Sequence, residues 1–93
     1  MATTANNNLV YILIHEYVDD VNGLSYDILT ASTDKQTVIK ALQEEKKIVL
    51  DNFYGEHDKD RCTIADDEPD IFCVNFGDWY AYNRLNIKAT TLE

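Results

Sequence analysis

Glycine, proline and basic residues are scarce in this 93-residue chain, with 3 Gly, 1 Pro and 8 Lys plus Arg. Three isolated glycines cannot build a phosphate-cradling loop. The only serines are Ser25 and Ser32, and neither sits in a nucleophile elbow. Two cysteines, Cys62 and Cys73, do not make a disulfide framework, so reduced, buried thiols are expected. No run approaches the roughly 18 apolar residues that a membrane helix needs. The opening MATTANNN lacks the basic region and cleavage pattern of a secretory signal. The shortage of bases leaves 17 acidic residues against 8 basic ones, a net charge of −9. Phosphate backbones and anionic membranes repel such a chain, which argues against direct nucleic-acid or membrane binding.

Apolar and aromatic residues, by contrast, are plentiful, at 45% and 11% of the chain. That composition, in a chain of this length, suits one folded domain burying about 60–65% of its unfolded surface. The sequence divides into an expected disordered leader at 1–8, a single domain at 9–91, and a Leu92-Glu93 pair that reads as a cloning remnant.

The one strong helix signal runs from Thr33 to Phe53. Thr33 and Gln36 have the spacing of a capping box, and Asp34 suits the positive helix end. Val38, Ile39, Leu42, Val49, Leu50 and Phe53 share about a third of the circumference, the stripe of a helix lying on a core. Lys46 falls inside that stripe and should snorkel. Ile48 falls off it. Asn52 and Gly55 predict the stop.

Everything else reads as strand. Leu9 to Val18 is apolar on both faces, with Val10, Ile12 and Ile14 on one and Tyr11, Leu13, His15 and Tyr17 on the other. Asn22-Gly23 marks a turn, and Leu24 to Ala31 returns. After the helix, Cys62 to Ala65 opens a strand that Asp66 to Asp70 interrupts, because proline and crowded carboxylates are poor strand formers. Ile71 to Phe76 resumes it, Gly77-Asp78 is a two-residue hairpin loop, and Trp79 to Thr90 closes the chain. The expected fold is α+β: a four-stranded antiparallel sheet (ββαββ, order 2-1-3-4) with one helix packed on one face. Its expected core comprises Val10, Ile12, Ile14, Leu24, Tyr26, Ile28, Phe72, Val74, Phe76, Ala81, Leu85 and Ile87.

A single helix covers one side of such a sheet. The other side would carry Tyr11, Leu13, His15, Tyr17, Tyr80, Tyr82 and Arg84, a composition enriched at protein interfaces. The plainer alternative is a solvated sheet face. Carboxylates cluster at Glu16, Asp19 and Asp20, at Glu56, Asp58 and Asp60, and at Asp66, Asp67, Glu68 and Asp70. No metal or cofactor site is expected. His15-Glu16 lacks the second histidine of a zincin motif and lies on a strand, and Glu56-His57-Asp58 reads as a solvated loop. The calcium-loop echo at Asp20 to Gly23 fails, because its first and twelfth ligand positions fall on Val18 and Leu29.

The opening VYILIHEY and the closing GDWYAYNRLNIKATTL resemble the end strands of small bacterial and phage-associated ββαββ proteins of unknown function. The resemblance implies a bacterial, intracellular origin and carries no activity. The residues therefore predict a cytoplasmic, non-enzymatic protein-interaction module or homodimer using the helix-free sheet face. The alternatives are an acidic nucleic-acid mimic that inhibits a DNA-binding protein or nuclease, and a small-ligand enzyme or sensor.

Overall fold

The computed structural model describes residues 9–19, 23–77 and 79–91. Its elements are β1 (Leu9–Asp19), β2 (Gly23–Ser32), α1 (Lys35–Glu56), β3 (Cys62–Glu68), β4 (Ile71–Phe76) and β5 (Ala81–Thr91). A short 3-10 turn at Lys59–Arg61 precedes β3. The leader at 1–8, the 92–93 pair, Asp20, Val21 and Asn22 of the expected first loop, and Asp78 of the expected Gly77-Asp78 hairpin loop lie outside the described residues.

The class is α+β with one helix, but the sheet has five antiparallel strands in the order 2-1-5-4-3. The four-stranded ββαββ sheet of order 2-1-3-4 is therefore corrected in both count and order. The extra strand is β3, which holds Asp66, Asp67 and Glu68 where an interruption was expected. At a sheet edge these carboxylates reach water or a partner: Lys46 Nζ on α1 lies 2.9 Å from Asp67 Oδ1. Pro69-Asp70 then makes the turn into β4, where proline costs no ladder bond. The acidic strand belongs outside, so the chain enters at the far edge and returns inward. That brings the two 11-residue strands, β1 and β5, together at the centre.

The second correction concerns the covered face. The helix packs on Leu13, Phe72, Val74 and Leu85, with Val38, Leu42, Val49 and Phe53 from its own stripe. Tyr11, Cys62, Phe76 and Ile87 pack around that cluster. In β1 the core residue is thus Leu13, on the odd-numbered face. Val10, Ile12 and Ile14 point away from the helix, and so do Leu24, Tyr26 and Ile28 of β2, which the β1 register places opposite Val18, Glu16 and Ile14. The expected core residues of β4 and β5 do lie under the helix, among them Phe72, Val74 and Leu85.

The helix ends also differ from expectation. Its N-cap is Asp34, whose carboxylate accepts from the Gln36 N–H at 3.1 Å and the Thr37 hydroxyl at 3.0 Å. A carboxylate there also meets the positive helix end, which a Thr33 hydroxyl would not do. The helix runs through Gly55 to Glu56, and the His57 N–H closes it on the Phe53 carbonyl. Lys46 snorkels, its ammonium 5.6 Å from the centre of the Phe72 ring. Ile48 is 54% exposed. No described helix is long and apolar enough to cross a membrane.

Asp34→Ala is expected to cost about 1 kcal/mol in urea unfolding, while Thr33→Ala stays within about 0.5 kcal/mol. The reverse order would return the cap to Thr33.

Candidate functional site

The helix leaves one whole sheet face open, and the strand registers fix what stands on it. In antiparallel pairs, directly opposed residues share a face. One row therefore crosses all five strands: Asp66 on β3, Cys73 on β4, Arg84 on β5, Glu16 on β1 and Tyr26 on β2. The row on one side reads Glu68, Ile71, Asn86, Ile14, Ile28. The row on the other reads Thr63, Asn75, Tyr82, Val18, Leu24. The β2 end of the face is apolar and uncovered, with Leu24 51%, Tyr26 61% and Ile28 70% exposed. Together with the half-buried Ile12, Ile14 and Val18 they form one contiguous apolar strip, a feature often found at interaction sites.

A charged cluster anchors the middle of this face. Arg84 Nη1 lies 3.3 Å from Glu16 Oε2, and the same carboxylate oxygen accepts from the Tyr82 hydroxyl. The Arg84 guanidinium also stands 5.3 Å over the Tyr82 ring. Hydrogen bonding to Glu16, helped by burial and the carboxylate charge, pushes the Tyr82 phenol up to about 12. Trp79 meets the Tyr82 ring edge-on at 5.5 Å between centroids. Trp79 was expected at the start of the last strand. Instead it lies in the connection before β5 with φ of 72°, a backbone conformation uncommon for a side chain of its size.

The seven residues predicted for the helix-free face are divided between the two faces. Tyr82 and Arg84 are on it. Tyr11, Leu13, His15 and Tyr17 are on the helix side: Leu13 is in the core and Tyr11 packs against it. His15 Nε2 meets Asn83 Oδ1 at 2.6 Å, and the Tyr17 hydroxyl donates to Asp27 at 3.2 Å. Tyr80 lies in the connection before β5 and is 57% exposed. The physical reason is that β1 is apolar on both faces, so its own pattern does not say which set turns to the helix.

The acidic residues are also scattered. Glu16 is paired at the centre of the open face. In β3, Asp66 and Glu68 face the open side while Asp67 faces the helix, where Lys46 holds it. Asp70 is in the turn, Asp19 ends β1, and Asp20 lies outside the described residues.

His57 and the two cysteines are built into the packing. The His57 ring is stacked between Phe53 and Phe76, 4.6 Å from each by centroid. Cys62 packs at the core side of β3, while Cys73 stands on the other face, so the two do not pair. Burial pushes both thiols up: Asp58 adds to the effect at Cys62, while Arg84 opposes it at Cys73. A groove of about 380 Å³ beside the helix is lined by Ile39, Gln43, Asp67, Glu68 and Pro69. Among the described residues no three His, Cys, Asp or Glu side chains converge on a metal position.

No family model, curated protein or solved structure matches the chain.

The alkaline titration of the tyrosines tests the central cluster. A raised phenol pKa stabilises the fold below pH 10, and that contribution is lost as pH rises through about 12. In absorbance titration, Tyr82→Phe should remove a late step near 12, and Glu16→Gln should move that step down toward 10. A Tyr82→Phe variant that instead loses an ordinary step near 10 would contradict the Tyr82–Glu16 bond.

Proposed function

We propose that this chain is a cytoplasmic, non-enzymatic protein-interaction module, and that its working surface is the helix-free sheet face. The observation that carries the reading is the exposed strip of Leu24, Tyr26 and Ile28 beside a paired Glu16–Arg84–Tyr82 centre. Apolar residues of β1 and β2 flank a few oriented polar groups on one side there, a mixture that interfaces use. The Glu16–Arg84 pair sets what can lie over the centre, because a partner that displaces one member strands the other charge. The thiols give no support to a catalytic reading, since both are pushed away from the reactive thiolate.

The nucleic-acid mimic draws less support. A mimic presents carboxylates along one strip, whereas those of β3 alternate between faces and one is held by Lys46. The chain-end resemblance to small bacterial proteins agrees with a bacterial, intracellular setting.

Site-specific photo-crosslinking in the source cells tests the reading. A photoreactive side chain at Tyr26 or Ile71, both on the open face, should give a discrete protein adduct. The same group at Ile48, exposed on the helix, should give none. Silence at both open-face positions, or equal adducts at Ile48, would overturn it.

A further inference from the structure

Among the described residues, Trp79 is the only one other than glycine with a positive φ, at 72°. Gly77, two residues earlier, has φ of 59°. Both belong to the connection that reverses the chain between the paired residues Phe76 and Ala81. The Tyr80 N–H closes that connection on the Phe76 carbonyl at 3.0 Å. A left-handed backbone is costly for a side chain because the Cβ crowds the following carbonyl oxygen. Glycine escapes that crowding, and asparagine tolerates it. The turn thus asks for a left-handed backbone at position 79, and nothing in its path asks for an indole.

The fold gives that indole little in return. Trp79 is 47% exposed, whereas the core rings Phe53 and Phe72 are exposed by 2% or less. Its one aromatic contact among the described residues is the edge-on meeting with Tyr82 at 5.5 Å. Its Nε1–H has no hydrogen-bond partner among them. Tyr82 stands on the helix-free face, so the Trp79 ring lies on that side, next to the Glu16–Arg84–Tyr82 centre. Backbone strain that packing does not repay gathers at binding and switching sites. Tryptophan is also among the side chains that carry most of the energy at protein interfaces, since it joins a large apolar ring to one hydrogen-bond donor.

We infer that Trp79 is the anchor of the helix-free face, the side chain that a protein partner takes into an apolar socket with a carbonyl oxygen placed to accept its Nε1–H. The inference rests on that face being the working surface. It extends the surface beyond the strands to the turn between β4 and β5. The turn is tied to both strands, so the indole is presented on a fixed backbone and loses little freedom when it is bound.

Two substitutions separate binding from folding, because Trp79→Asn and Trp79→Gly both suit a left-handed backbone. Each should keep the melting midpoint within about 5 °C of the parent chain or raise it. With a photoreactive side chain at Tyr26 in the source cells, each should cut the discrete protein adduct at least about tenfold. Ile48→Asn, at an exposed position on the helix, should leave the adduct unchanged. A midpoint lowered by more than about 5 °C in both variants would mean that the ring holds the turn itself, which overturns the inference. So does an undiminished adduct from variants that keep their midpoint, and the interaction module then stands without this anchor. A parent chain that gives no adduct from Tyr26 or Ile71 removes both the module and its anchor.

Discussion

The pairing of β1 with β5 is the constraint from which the rest of the structure follows. The two strands are opposed at ten positions, from Leu9 opposite Thr91 to Val18 opposite Tyr82. β5 has one decisively apolar face, with Ala81 and Leu85 buried and Ile87 packed on the core. Direct opposition carries that choice to β1: Leu13 stands across from Ile87 and His15 across from Leu85, so the odd-numbered face of β1 turns to the helix. Ile12, Ile14, Glu16 and Val18 are then committed to the other side. The ladder to β2 carries the same parity outward and leaves Leu24, Tyr26 and Ile28 uncovered. A slip of one residue in the β1–β5 ladder would exchange the two faces of β1.

The same arrangement separates the two chemistries of the chain. Much of the sheet's carboxylate charge stands at the β3 edge, and the apolar surplus collects at the β2 edge. The helix bridges them diagonally: Lys35 stands 5.9 Å over the Tyr11 ring on β1, while Lys46 reaches Asp67 on β3. Two lysines of one helix thus reach opposite halves of the sheet, while the buried stripe of Val38, Leu42, Val49 and Phe53 sets its rotation. Between the edges, the Glu16–Arg84 pair has side chains 20% and 32% exposed. Such a pair gives the open face an orientation, because it stays satisfied only where a partner leaves it in place or supplies its own hydrogen bonds.

The sequence made the helix legible almost entirely, because its stripe depends only on local period. Val38, Leu42, Val49 and Phe53 are buried and Lys46 snorkels. The α+β class was legible for the same reason. Strand count failed at Asp66 to Glu68, since edge position and the Lys46 contact are tertiary facts that outweigh strand propensity. The candidate face failed at β1, where both sets of side chains are apolar and neither announces the core. The signal that settles it lies elsewhere, in the one-sided burial of Leu85 in β5 combined with a register that no local pattern encodes. Tyr82 and Arg84 were placed correctly because their own strand has unlike faces. Glu16 was noticed only as part of an acidic cluster, because its partners are 66 and 68 residues away in sequence.

The most direct measurement of the central claim is a methyl-resolved NOE spectrum of the full chain. Leu13 and Leu85 methyl groups should show strong cross-peaks to Val38, Leu42 or Phe53 of the helix, and the methyl groups of Ile12, Ile14 and Ile28 should show none. Cross-peaks from Ile12 or Ile14 to the helix, with Leu13 silent, would mean that β1 turns its other face to the core, and the face described here as open would be the covered one.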